Sequence, residues 1–320
     1  MSPLHGAARI VTRVLLGRHD IPQQCVLGMH DPQDEIAVEL HGLDAPRDVT
    51  TRHTLASAVP FSVCISLEGD LDQIVRKAEN LSLRFREKSG SQRLLGEFAL
   101  HPRAIIPIDD HKGYCFTVSR CKNYCLPQAR LLAHYFHGAC VRWRHPPDLH
   151  MSSRDIRAMP IFFICPRPVG LISVGGVTGN LFPVNLMGPL GDRKFGFALN
   201  STRQSMPLVK RAGQFALSSV PLERASMIRQ MGGNHKRESI DWQELPFDIT
   251  LSKRLGLPVP CFSLRVREME VITSQDMGSH TLFITRILED ENYRDGSQFF
   301  MIHGMYQACR QQLDPQPACP

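Results

Sequence analysis

Alternation of apolar and polar positions dominates this chain. In the first half it runs through Glu35–Leu40, Pro60–Leu67, Leu81–Arg86 and Leu94–Leu100, with a further short stretch at Tyr114–Ser119. A period of two over four to eight residues predicts strands with one face buried. Ser89-Gly90-Ser91, between two of these stretches, predicts a hairpin turn. In the second half Val169–Val174 predicts a buried strand, and Phe195–Leu199 and Phe215–Ser218 two more. Cys261–Ile272, His280–Leu288 and Gln298–His303 complete the set.

Helical spacing is confined to three places. Leu126–Arg142 is the main helix of the first half: Leu131, Leu132, Tyr135, Phe136 and Cys140 recur at helical intervals, and Pro127 sits in the first turn. A short helix is predicted after Ser205, with Ser205 as N-cap, Pro207 in the first turn and Gly213 closing it. Another covers Leu222–Met231 and ends at Gly232-Gly233. Many β segments with only short helices predict a closed barrel and not a doubly wound parallel sheet. The fold class expected is mainly β with short helices (α+β). The Pro-rich run from His145 to His150 and the polar stretch Ser152–Arg157 predict a boundary. They divide the chain into a β-rich N-terminal domain (1–150), a barrel (151–310) and a C-terminal tail (311–320). No internal repeat or low-complexity tract is visible.

Composition narrows the class. At 42% hydrophobic and 21% charged residues the chain is an ordinary globular protein. No apolar run approaches the roughly 18 residues of a membrane span, and Met1–Gly17 lacks the apolar core of a signal peptide. A cytoplasmic protein with no membrane partner is expected. The net charge of +6 is spread over both halves with signs mixed, so no stripe for nucleic acid emerges. Ten cysteines in 320 residues are too sparse for a disulfide scaffold, and reduced, mostly buried thiols are expected. Cys121 and Cys125 form a single C-x₃-C unanswered by a second pair, and no metal is expected.

Candidate chemistry concentrates in 166–206. The helix after Ser205 has a first turn of unpaired N–H groups and a positive dipole end. Ser201, Thr202, Arg203 and Ser205 add hydroxyls and a guanidinium, a set suited to a phosphate; a capped surface helix with a polar lead-in fits too. In Gly179–Leu190, Pro183, Asn185, Gly188 and Pro189 are expected to break regular pairing. Asn185 offers donor and acceptor, and Val184, Leu186 and Met187 offer apolar walls for a flat ring; a wide turn is the plainer alternative. His280 opens a strand and either faces a ligand or fixes a turn. His235 and Lys236 lie in a polar loop that either covers a ligand or is simply solvated. Neither a Gly-x-Gly-x-x-Gly fingerprint nor a Gly-x-Ser-x-Gly elbow occurs.

Four segments in one order, Pro166–Val174, Gly179–Leu190, Phe197–Met206 and Gly278–Ile284, resemble the flavin reductase-like family over about 158–305. The chain departs from the family pattern in having Ser279 where an Asp is usual and no Ser/Thr just after Pro183. The resemblance implies an FMN-binding split barrel. It implies that Asn180, Pro183, Val184, Asn185 and Leu186 line the flavin, that Asn200, Ser201, Thr202, Arg203 and Ser205 hold its phosphate, and that His280 faces the flavin and nicotinamide. His235 and Lys236 would cover the ring and meet the nicotinamide phosphate. The implied activity is reduction of FMN or FAD by NADH or NADPH in a homodimer, with reduced flavin passed to a monooxygenase partner. A flavoenzyme with its own small organic substrate, its pocket shaped by the N-terminal domain, and a non-catalytic flavin-binding protein are the alternatives.

Overall fold

The computed structural model describes residues 21–109, 111–144, 149–175 and 178–313. The chain start, residues 145–148 of the Pro-rich break, Gly176-Val177 of the glycine turn and residues 314–320 of the expected tail lie outside the described residues.

Each stretch of alternation is a strand. A strand at Cys25–Met29 (β1) precedes Ile36–His41 (β2), Arg47–Asp48 (β3), His53–Ala58 (β4), Phe61–Leu67 (β5), Ser82–Glu87 (β6), Leu94–Ile108 (β7) and His111–Asn123 (β8). β2 shows the cause: Ile36, Val38 and Leu40 are fully buried, and the residues between them are only partly so. β2 to β8 form one seven-stranded antiparallel sheet in the order β3-β2-β6-β7-β8-β5-β4. The helix Asp72–Lys77 (α1) joins β5 to β6, and Gln128–Arg144 (α2) follows β8. Leu131 is buried and Tyr135 half-buried, but Leu132 and Phe136 are 63% and 70% exposed. The expected apolar stripe is therefore narrower: Leu132 and Phe136 lie about 100° around the helix from Leu131 and Tyr135, off the face that meets the sheet.

A capped helix, Ser153–Phe162 (α3), leads into the second half; Ser152 and Asp155 form its capping box. Then come Arg167–Pro168 (β9), Gly170–Val174 (β10), Asn180–Val184 (β11), Met187–Pro189 (β12), Lys194–Asn200 (β13), the helix Ser205–Ala212 (α4) and Gln214–Ser219 (β14). A long connection carries the helix Ala225–Gln230 (α5), a 3₁₀ stretch Met231–Lys236, and a hairpin of Ile249–Leu251 (β15) and Pro258–Pro260 (β16). The strands Arg265–Asp276 (β17), His280–Asn292 (β18) and Gln298–Ile302 (β19), with the helix Gly304–Leu313 (α6), complete the described chain. The second sheet has the order β11-β10-β14-β17-β18-β13-β12, and β1-β19-β9 forms a three-stranded sheet.

Three expectations are corrected here. Gly179–Leu190 holds two paired strands, not a break in pairing. Pro183 lies opposite Leu171 and Pro189 opposite Phe195, and the sheet tolerates both because β11 and β12 are its edges, where a missing N–H faces no neighbour. The helix expected at 222–231 is instead a 3₁₀ turn, α5 and a second 3₁₀ stretch that continues through Gly232-Gly233 to Lys236. The strand expected from Cys261 begins at Arg265.

The two large sheets share a seam. β4 packs against β12, β13 and β18. One side of the first sheet meets a large core with Phe61, Phe85 and Phe98; the second sheet has its own core around Phe182, Phe197, Phe215 and Phe283. Between them lies a third cluster drawn from both sheets.

Candidate functional site

The junction where β13 ends and β18 begins gathers Asn200, Ser201, Thr202, Arg203 and His280 of the predicted residues. Asn200 and His280 are the terminal pair of that ladder. Asn200 turns the chain: its Oδ1 accepts from the Thr202 backbone N–H at 2.9 Å and from the Thr202 hydroxyl at 2.8 Å, a local turn that Asn favours. The Ser201 N–H donates to the Ser279 carbonyl at 3.1 Å, and its hydroxyl lies 3.1 Å from that of Thr281. Thr202 is exposed and Arg203 partly so, at the positive end of α4. The expected N-cap is displaced. Gln204 holds that position without a side-chain cap, and Ser205, fully buried, is the first helical residue.

Ser205 is spent elsewhere. Its hydroxyl lies 2.8 Å from His235 Nδ1, while His235 Nε2 lies 2.7 Å from the Pro183 carbonyl. A carbonyl accepts only, so Nε2 carries the proton and Nδ1 accepts from Ser205. Burial holds the His235 pKa below its ordinary value and keeps the ring neutral. The ring sits 4.8 Å from that of Phe182. Asn180, fully buried, donates from Nδ2 to the carbonyls of Asn234 (3.0 Å) and Arg237 (2.8 Å), and Asn234 donates to the Leu181 carbonyl at 2.8 Å. Asn180, Pro183, Ser205 and His235 thus bind the 231–237 segment to β11 and α4. Lys236 is exposed beside them.

The remaining wall residues separate. Val184 turns into the core of the second sheet. Asn185 donates to Met301 Sδ at 3.3 Å, and the Leu186 carbonyl accepts from the Ala198 N–H at 2.9 Å. These two sit at the β11–β12 turn, not at the β13–β18 junction.

His280 is 6% exposed. Its Nδ1 lies 2.8 Å from Ser279 Oγ and 3.5 Å from the Ala58 N–H. Two donors on Nδ1 leave the proton on Nε2. Burial alone brings its pKa down to about 4, so at neutral pH the ring is an uncharged N–H donor and not a cationic acid. Ser279 is fixed in turn by the first half: its N–H donates to the Val59 carbonyl at 2.8 Å, and its Oγ accepts from the Val59 N–H at 2.9 Å and lies 3.2 Å from Ser57 Oγ. Pattern reading missed Ser57 and Val59. Ser57 lies on β4, whose sequence His-Thr-Leu-Ala-Ser-Ala carries neither a clear alternation nor an apolar run, and Val59 lies in the turn that follows.

Arg167, from the Pro166–Val174 segment, also reaches the first half. It is buried, stacks 3.8 Å over the Phe162 ring and donates to His53 Nε2 at 2.5 Å, while His53 Nδ1 donates to the Val49 carbonyl at 2.7 Å. Burial, followed by the adjacent guanidinium, pushes the His53 pKa well below its ordinary value.

Residues 162–308 match the family model described as the flavin reductase like domain. Among solved structures, the chain is similar to the NADH:FAD oxidoreductase of Streptomyces globisporus, at 16% identity over 50% of this chain and 95% of that one, with a TM-score of 0.43. It is similar to the flavin reductase component of a bacterial two-component tryptophan halogenase, at 18% identity over 48% and 95%, with a TM-score of 0.42. An FMN-binding protein from Thermus thermophilus gives 22% identity over 40% and 71%, with a TM-score of 0.36. A comparison with curated proteins finds no match.

Proposed function

We propose, from the match of residues 162–308 to the flavin reductase like domain, that the protein is a cytoplasmic NAD(P)H-dependent oxidoreductase on a split barrel that binds FMN or FAD at the β13–β18 junction. Reduced flavin would serve a partner monooxygenase. The observation that carries this reading is the conjunction, at one end of two paired strands, of an anion-suited loop (Ser201, Thr202, Arg203) with a buried neutral His280.

The residues present fit the cofactor. Arg203 and the hydroxyls of Ser201 and Thr202, at the start of α4, would hold its phosphate by charge-assisted and neutral hydrogen bonds. Bound flavin supplies the hydride-accepting chemistry. The protein's share is orientation and electrostatics. His280, with Nδ1 occupied by Ser279, keeps its proton on Nε2 and would steady negative charge there without giving it up. The ties of His235 and Asn180 keep the 231–237 segment in place beside α4, and Lys236 on that segment would meet a nicotinamide phosphate. The assembly implied by the resemblance, a homodimer with flavin near the subunit boundary, needs a second barrel against this site.

Anaerobic addition of NADH or NADPH to the flavin-loaded protein tests the reading. Rapid bleaching of the visible flavin band with either donor is expected. Bound flavin that resists both would favour the alternative that the contact of Ser57–Val59 with Ser279 suggests, a flavoenzyme whose own organic substrate enters between the halves. Protein that cannot be loaded with FMN or FAD would defeat both.

A further inference from the structure

The two seven-stranded sheets have one topology. Counted in chain order, the strands of the first are β2 to β8, and those of the second are β10 to β14 followed by β17 and β18. Across each sheet the order is then second, first, fifth, sixth, seventh, fourth, third. A helix joins the fourth strand to the fifth in both, α1 in one and α4 in the other. In both, the sixth and seventh strands are the longest and form a hairpin. Agreement of seven positions and a helix is more than connection rules alone impose on an antiparallel sheet.

The sheets also meet as two-fold copies meet. The tip of the β17–β18 hairpin, at Ser279, bonds Val59 in the turn between the third and fourth strands of the first sheet. The tip of the β7–β8 hairpin, at Asp109, pairs with Lys194 at 2.8 Å, just past the corresponding turn of the second sheet, and with Arg286 at 2.8 Å. Such reciprocity marks an isologous contact. The seam cluster draws Ala56, Cys64 and Ile108 from one sheet and Leu190, Leu282 and Ile284 from the other.

At the site the copies differ. The last pair of the fourth-to-seventh ladder is Asn200 with His280 in the second sheet and Leu67 with Lys112 in the first. The loop that follows reads Ser-Thr-Arg-Gln (201–204) before α4 and Glu-Gly-Asp-Leu (68–71) before α1. Asp70 therefore stands in the place of Arg203, and Lys112 in the place of His280. The Lys112 ammonium is held by Asp70 at 3.0 Å and Asp72 at 2.9 Å. A loop of carboxylates repels phosphate. The long connection 220–264, which carries His235, has only the short turn 88–93 as its counterpart.

We propose that residues 36–144 are a second, altered copy of the barrel fold that holds, within one chain, the position of a dimer partner: its Ser57–Val59 turn is a positioning element for Ser279 and His280, and its own acidic loop takes no anion, so that each chain carries one flavin site. The single-site clause rests on the flavin reading; the positioning and partner clauses do not.

Three measurements on the full chain test it. Light scattering is expected to give the mass of one 36.0 kDa chain, with or without FMN; a stable two-chain particle overturns the substitution of the partner. FMN titration is expected to give one site per chain, abolished by Arg203→Asp and kept by Asp70→Asn; two sites, or one surviving in Arg203→Asp, overturns the single-site assignment. The third readout needs no flavin. Gly278 has φ +101°, and a Cβ there would lie 2.5 Å from the Val59 carbonyl oxygen, so Gly278→Ala must withdraw the hairpin tip from the turn. By NMR, His280 is then expected to titrate nearer its ordinary range while His235 does not move. Should Gly278→Ala not fold, Ser57→Ala, which removes the hydroxyl beside Ser279, is expected to shift His280 in the same direction by less. An unmoved His280 in the folded variant overturns the positioning role. A chain that binds no flavin sinks the proposed function and leaves the mass and the NMR titration to judge the rest.

Discussion

At the scale of single residues, the buried histidines set the protein's response to acid. His280 is held near 4 by burial, and His53, His134, His235 and His303 are all shifted downward, with desolvation the first cause in each. Each is neutral when folded and regains an ordinary pKa of about 6.5 when unfolded. Below that value the unfolded chain binds more protons than the folded one, so stability is whole above about pH 6.5 and falls as pH drops toward the folded values. Thermal midpoints followed by circular dichroism are expected to fall steadily from pH about 6.5 to about 4, the stability lost being up to about 1.4 kcal/mol per pH unit for each well-buried ring and less for the partly solvated His134. A midpoint unchanged over that window would mean these rings are solvated. His280 and Arg203 were identified in the sequence because their neighbours form recognisable strings. Ser57 and Val59 were not, because what makes them matter is a hydrogen bond to Ser279, more than two hundred residues away.

At the scale of elements, strands with a clear alternation or apolar run were legible, the fully buried β5, β10 and β19 included, and β4, which has neither, was not. β2, β5 and β6 were found from their period of two, and β10 and β13 as short apolar runs. β4 was missed: its side chains meet the first core on one side and the seam on the other, and small polar residues such as Thr54, which donates to the Gly196 carbonyl at 3.2 Å, make the crossing tight. Gly188 shows how tight. A Cβ there would lie 2.6 Å from the His53 carbonyl oxygen, a backbone atom that cannot step aside. Gly188→Ala is expected to lower stability by about 1–3 kcal/mol, as overpacking does, measured as a lower urea midpoint with unchanged slope. A neutral effect would mean that β4 and β12 are free to part. The edge prolines teach the converse: Pro183 looked like a breaker in one dimension and is an ordinary edge residue in two.

For the whole molecule, the seam decides whether two barrels behave as one. Ala56, Cys64, Ile108, Leu190, Leu282 and Ile284 are buried between the sheets. Removing one half exposes the apolar surface of the other, which couples their stabilities. Urea unfolding is therefore expected to be a single transition, with the fluorescence of Trp143 and Trp242, one in each half, coincident with circular dichroism. Two resolved transitions would show that the seam does not bind the halves into one cooperative unit.

The sequence by itself determined most of the strands, the mainly β class, and the second half's likeness to flavin reductases, because local periodicity, apolar runs and short strings of neighbours record burial and loop chemistry. Only the tertiary structure decided that the first half repeats the strand order of the second, that β4 lies between two cores, and that Ser279 and His280 lean on Ser57–Val59. Strand order and cross-sheet contacts are relations between distant segments, held by packing that many different side chains satisfy, and so they leave no local pattern in the chain.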